Sequence, residues 1–250
     1  MTVTNTLLLL GCGVIGGMWN AVAGGATLFT FPALMAVGLP PVVANATNYL
    51  ALLPSNAAAL PAYRKELREV GKALWPLIII SGFGAVVGSL LLMKSDPAVF
   101  MSLVPYLILL ATCLFAFGKS LNTGLRRLAG ESASKNLVYF ALFLFSIYGG
   151  YFGAGLGIIL LAIAQIIGYT EFHTANSIKN LLATSFTIIS IVIFGLGGLI
   201  AWPEAVTMML GSTVGGYIGG RYARRVNERY LSVVVVVFGL CLSMVYFYRS

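Results

Sequence analysis

From residue 6 to residue 248 this chain is a succession of apolar runs, many of them close to the ~20 residues a helix needs to cross a bilayer. Only short polar breaks part them. Inside hydrocarbon every backbone N–H and C=O must find its partner within the protein, so such a chain has few ways to fold. It is read as all-α, a polytopic membrane protein. Hydrophobic residues make up 59% of the 250 and charged residues 9%, against about 25% charged in soluble domains. The first run, 6–23, follows only MTVTN and has no basic leader, so it is expected to be a retained span with the chain starting near Met1.

Residues 18–48 depart from the pattern of a lipid-facing helix. They hold the glycine pair Gly24 and Gly25, the prolines Pro40 and Pro41, and the amides Asn20, Asn45 and Asn48. A glycine break frees backbone groups that lipid cannot satisfy, which places it against protein or a watery pathway.

The second half restates the first at an offset of about 130 residues. Gly16 and Gly17 return as Gly149 and Gly150, the Gly24–Gly25 break as Gly153, Gly155 and Gly157, and Gly38 as Gly168. The turn 44–48 returns as 175–179, and Trp75-Pro76 as Trp202-Pro203. Each unit reads as a span (6–23; 135–152), a glycine break and a short apolar piece (26–37; 156–167). An amide-bearing helix follows (41–62; 172–194), then two further spans (72–93 and 98–118; 201–221 and 229–248). A first repeat over 1–118, a basic cytoplasmic linker over 119–134 and a second repeat over 135–250 result. The short pieces, at about 18 Å, cannot cross a core of about 30 Å alone, so each is half of a broken span or one arm of a re-entrant hairpin.

The formal net charge is +8, but the basic residues cluster in loops, which argues against nucleic acid as a partner. Three clusters, at Arg64–Lys72, Lys119–Lys135 and Arg221–Arg229, are placed in the cytoplasm by the positive-inside rule. The charge-poor loop at Ser95 then lies outside while its second-half counterpart lies inside. The repeats are therefore expected to be inverted, an arrangement that in secondary transporters sets the substrate between the halves at mid-membrane. Glycine pairs spaced by four, Gly13/Gly17, Gly84/Gly88, Gly211/Gly215 and Gly216/Gly220, suit close helix packing, and a homodimer through such faces is compatible with the sequence. Cys12, Cys113 and Cys241 lie inside apolar runs without metal-ligand spacing and are read as small core residues; neither a metal nor a cofactor is expected.

The segments AGGATLFTFPALMAVGLPPVVANATN and GAGLGIILLAIAQIIGYTEFHTANSIKN, each followed by a Trp-Pro segment and a GxxxG helix, resemble the sulfite exporter TauE/SafE family, also called the toluene sulfonate uptake permease family. The likeness runs from about residue 11 to residue 248. It implies a carrier of small sulfur-containing anions, such as sulfite or short sulfonates, in a prokaryotic inner membrane. Where the family commonly reads Gly-Thr-Asn and then a basic residue, this chain has Ala46-Thr47-Asn48-Tyr49, so the cation is expected from Lys179 instead.

A compact oxyanion is best held by helix N-termini, neutral donors and a cation. The candidate ligands are Gly24, Gly25, Gly153 and Gly155 at the breaks, with Asn20 just before the first. To these are added the two polar turns, Asn45, Thr47 and Asn48 in one half and Asn176, Ser177, Lys179 and Asn180 in the other. Lys179 is the only basic residue deep within an apolar segment, which makes it a functional candidate by default. His173, the sole histidine, is a weaker gating candidate. The tyrosines near segment ends, with Trp75 and Trp202, are read as interface anchors. All seven acidic residues fall in loops or at segment ends, and no P-loop is present. No constellation at membrane depth suggests an enzyme. The competing readings are a carrier of another small solute or of a cation, and a non-transporting membrane assembly protein.

Overall fold

A computed structural model describes residues 1–22, 25–57, 60–129, 135–222 and 228–249. Among these, all regular structure is helical. The helices are α1 (Val3–Val22), α2 (Thr27–Ala36), α3 (Pro41–Ala57), α4 (Arg64–Val70), α5 (Leu74–Lys94) and α6 (Pro97–Ala129). They are followed by α7 (Lys135–Tyr151), α8 (Leu156–Ile166), α9 (Phe172–Leu196), α10 (Trp202–Tyr222) and α11 (Glu228–Arg249). Among the described residues four helices are long and apolar enough to cross a membrane, and α2 and α8 are shorter apolar ones. Two boundaries differ from the sequence expectation. The span expected at 98–118 runs on to Ala129 as the end of α6, because the leucines and arginines that follow suit a helix and outweigh the single glycine, Gly124. The end of the first expected amide helix, 41–62, is instead a 3-10 turn, Leu60–Tyr63, which leads into the basic helix α4.

Leu, Val, Ile and Phe side chains cover the outer faces, among them Leu7, Ile79, Phe83, Val192 and Leu210. With lipid as apolar as the side chains, association rests on close packing through small residues. Two such seams organise the bundle. Gly211, Gly215 and Gly219 of α10 lie against the backbone of Leu10, Val14 and Met18 of α1, and Gly84 and Gly88 of α5 lie against Phe143 and Ile147 of α7. Numbering rises together along both seams, so α1 runs parallel to α10 and α5 parallel to α7. These glycine faces are occupied within the chain, so a second copy would have to use another surface.

Further contacts extend the two groups. Ser212 donates to the Ala51 carbonyl and Gly216 lies beside Ser55, which sets α3 parallel to α10. Gly82 lies beside Ile189 and Gly197 beside Met93, which sets α5 parallel to α9. Between the groups the direction reverses. Tyr49 of α3 packs on Phe194 near the end of α9 at 5.4 Å, while Tyr63, beyond the end of α3, bonds Asn176 near the start of α9. Outside them α6 and α11 form an antiparallel pair, with the Ser243 hydroxyl donating to the Pro105 carbonyl at 3.0 Å and Gly239 against Thr112.

The short helices α2 and α8 end alike. Beyond each, Gly38 or Gly168 turns the chain, and the next amide closes a six-residue loop: Leu39 N–H to the Leu34 carbonyl at 3.3 Å, Tyr169 N–H to the Ala164 carbonyl at 3.1 Å. Phe31 of α2, Phe100 of α6 and Phe152 of the second break form one buried aromatic cluster, with centroids 5.6 to 6.5 Å apart. It locks α2 to the end of α7.

Candidate functional site

Both short helices begin at glycines with positive φ, Gly25 at +83° before α2 and Gly155 at +75° before α8. Only glycine adopts this backbone without strain, and it lets each helix start afresh inside the bundle. The capping residues, Ala26 and Gly155, offer no side chain to the first-turn N–H groups. α9 differs, because the Glu171 carboxylate accepts from the amides of His173 (2.9 Å) and Thr174 (2.6 Å). Those bonds hold its pKa below the usual glutamate value. The two uncapped ends meet the same stretch of α6. A side chain at Gly25 would strike the Phe115 ring, and one at Gly155 would stand 3.3 Å from the Ala111 carbonyl, one turn away. Two positive helix ends thus converge on one level of α6.

α3 ties the breaks together. Asn48 donates to the hydroxyl of Thr27, the first residue of α2, at 3.2 Å. On the neighbouring part of the same face, Asn45 donates to the Tyr151 carbonyl at 2.8 Å and Tyr49 donates to the Gly149 carbonyl. Tyr148 donates to the Ala154 carbonyl at 2.6 Å, so the carbonyls freed where α7 ends are met by side chains. Asn45 and Asn48 are 0% and 2% exposed, and the amide oxygen of each is buried without a hydrogen-bond partner. On the other side the methylene stem of Lys179, on α9, passes Gly157 in the first turn of α8, 3.7 Å from where a Cβ would stand. Among the described residues no carboxylate pairs with its ammonium. Each short helix therefore starts beside a polar residue of the helix that follows it: Asn48 for α2, Lys179 for α8.

The remaining candidates are spread more widely. Asn20 donates to Ser55 and to Asn56, each at 2.8 Å, and joins the ends of α1 and α3. Thr47, fully buried, accepts from the Ala201 amide at 3.0 Å. Asn176 donates to the Tyr63 hydroxyl at 2.7 Å. Ser177 is fully buried and donates to the Thr174 carbonyl within its own helix. Asn180 is half-buried next to Lys179, and Gly153 (φ +75°) sits under the Tyr49 hydroxyl. His173 is exposed at the start of α9. Gly24 lies outside the described residues.

Two sequence expectations are corrected. Cys113 and Cys241 are exposed on the outer faces of α6 and α11 rather than packed in the core, since lipid accepts a thiol as readily as the interior does. Tyr148, near the end of its segment, is not an interface anchor: its hydroxyl serves the second break, as does that of Tyr49, which is 7% exposed. Trp75 and Trp202 do face outward, at 63% and 58% exposed. Sequence reasoning also passed over Thr27 and Tyr63. The signal for Thr27 was its place just after the glycine pair, at the first position of a short helix; Tyr63 carried none.

A family model described as "Sulfite exporter TauE/SafE" matches residues 9–246. Among curated proteins, the "Probable membrane transporter protein" of Haemophilus influenzae is 31% identical over 96% of this chain and 94% of its own length. The "Probable membrane transporter protein ORF9" of a Sinorhizobium species is 27% identical over 92% of this chain and 87% of its own. The "Probable membrane transporter protein YfcA" of Escherichia coli K12 is 28% identical over 95% and 87%. No solved structure matches.

Proposed function

Since this chain belongs to the sulfite exporter TauE/SafE family and is a multi-pass membrane transporter, we propose that it is a secondary carrier of small sulfur-containing oxyanions such as sulfite or short sulfonates. The observation that carries this reading is Lys179, a cation without a carboxylate partner among the described residues, lying along the first turn of α8 where the α2 and α8 N-termini converge. Helix N-termini and a lysine together favour a compact anion and disfavour a cation. Thr27 and Asn48 add neutral donors from the other side: the Thr27 hydroxyl can donate as well as accept, which lets the Asn48 amide turn its NH2 toward a ligand.

The carrier reading includes two inverted repeats, 1–118 and 135–250, in a prokaryotic inner membrane. It is supported by the helix directions, in which α1, α3 and α10 run one way and α5, α7 and α9 the other, so that equivalent helices oppose. An interior-negative potential expels an anion with about 2.3 kcal/mol per charge per 100 mV, so export needs no coupling ion.

The test is thermal unfolding of the detergent-solubilised protein with sulfite, sulfate, thiosulfate, short sulfonates and matched carboxylates. A ligand of the folded state raises stability as RT ln(1 + [L]/Kd). Stabilisation selective for sulfur oxyanions is expected. A flat response in normally folded protein sinks the reading and returns the cation carrier and the assembly protein to consideration.

A further inference from the structure

Resting on the carrier reading, we propose that the hydrogen bonds Asn176–Tyr63 and Ala201–Thr47 are a pair of latches that close the central site toward opposite faces of the membrane. Each joins the polar turn of one half to the connector of the other. Asn176 of α9 donates to the Tyr63 hydroxyl at 2.7 Å, in the connector between α3 and α5. The Ala201 amide, in the connector between α9 and α10, donates to Thr47 of α3 at 3.0 Å. α3 and α9 are antiparallel, so these connectors lie at opposite ends of the bundle. Both bonds are made in this structure.

The latches differ from the other polar contacts in what they join. Asn20 and Ser212 bond helix to helix, where parting costs the packing of a whole seam. Tyr63 ends a 3-10 turn, and Ala201 sits just before α10 begins at Trp202, so either can move by torsions in a few connector residues. Each bond also shares a turn with a proposed ligand of the anion. Thr47 is next to Asn48, and Asn176 lies three residues before Lys179. An anion drawing Lys179 or Asn48 toward the centre turns the same helical segment that holds a latch. Releasing one bond while the other stays made exposes the site to one face at a time.

The experiment uses the full chain with Cys12, Cys113 and Cys241 replaced by alanine and Asn180→Cys as reporter. A charged, impermeant thiol reagent is applied to intact cells and to inside-out vesicles. Tyr63→Phe, which removes only a hydroxyl, is expected to raise labelling from the face that bears the α3–α5 connector and to lower it from the other. Thr47→Val is expected to do the reverse, and Thr47→Ser to restore the original ratio. Each shift should be about five-fold, the effect of one neutral hydrogen bond on a two-state equilibrium. The proposal is overturned if both variants move labelling in the same direction, if neither moves it, or if the reporter stays unlabelled throughout. Separate cysteines at Ser95 and Asn227 keep the two readings apart. If they label from the same face, the inverted arrangement fails; if they label from opposite faces while the latch variants do nothing, only the latches fail.

Discussion

At the start of α2, Asn48 reaches the Thr27 hydroxyl; at the start of α8, the stem of Lys179 runs along Gly157. The backbone device is the same in both places, a positive-φ glycine releasing a short helix without a side-chain cap. The side chains differ by a full charge, and the backbone contacts around the glycines differ too. Gly25 faces a side-chain ring, Phe115, whereas Gly155 faces a main-chain carbonyl, Ala111. In the proposed carrier, one broken end contributes neutral donors and the other contributes the cation.

The largest effect is expected from removing the charge. Lys179→Gln should weaken sulfur-oxyanion binding about ten- to a hundred-fold, the loss of one charge-assisted hydrogen bond of roughly 1.5–3 kcal/mol. Isothermal titration reads this directly, and unchanged affinity in folded protein removes Lys179 from the site. The exchange Asn48→Lys with Lys179→Asn sharpens the contrast, because recovered binding would mean that only the total charge matters.

Next come the glycines. Gly25→Ala and Gly155→Ala should each cost about 1–3 kcal/mol in stability, from left-handed backbone imposed on a residue with a Cβ. Adding Phe115→Leu should recover part of the first loss and none of the second, since a ring can be trimmed and the Ala111 carbonyl cannot. Equal behaviour in thermal unfolding would erase the distinction between the breaks.

A smaller effect belongs to the neutral end. Asn48→Ala should weaken anion binding about five-fold, as one neutral hydrogen bond of about 1 kcal/mol does. A loss as large as that of Lys179→Gln would show that the two ends are not specialised.

The smallest effect concerns the capped helix that contrasts with both breaks. The carboxylate of Glu171 has a folded-state pKa lowered by the His173 and Thr174 amides, so its stabilisation is present above the ordinary glutamate range and is lost as pH falls through the lowered value. Wild type should exceed Glu171→Ala in thermal stability at neutral pH, and the gap should close as the solution is acidified below about pH 4, near the unfolded glutamate pKa. A gap independent of pH would mean that the charged cap contributes nothing.

Much of this was legible in the residues. Hydropathy placed most helix boundaries within a few positions, because a lipid-facing helix has no choice but to be apolar. Gly25, Gly155, Gly38 and Gly168 marked where α2 and α8 begin and end, because positive φ admits little else. The polar turns were harder. Nothing in the spacing of Asn176 pointed to Tyr63, or in that of Asn20 to Ser55 and Asn56, since such partners come from segments far along the chain. Nor did the sequence mark the partner of Tyr49, the Gly149 carbonyl near the end of α7.

By itself, then, the sequence determined the class: helices in a membrane, two glycine-broken segments, and one lysine where lipid would not tolerate it. Hydrocarbon enforces those features locally, on each segment. Which amide meets which break, and that both uncapped ends converge on one turn of α6, was decided only by tertiary packing. Amides and hydroxyls satisfy themselves with whatever donor or acceptor a neighbouring helix presents, and that neighbour is chosen by the glycine seams between α1 and α10 and between α5 and α7.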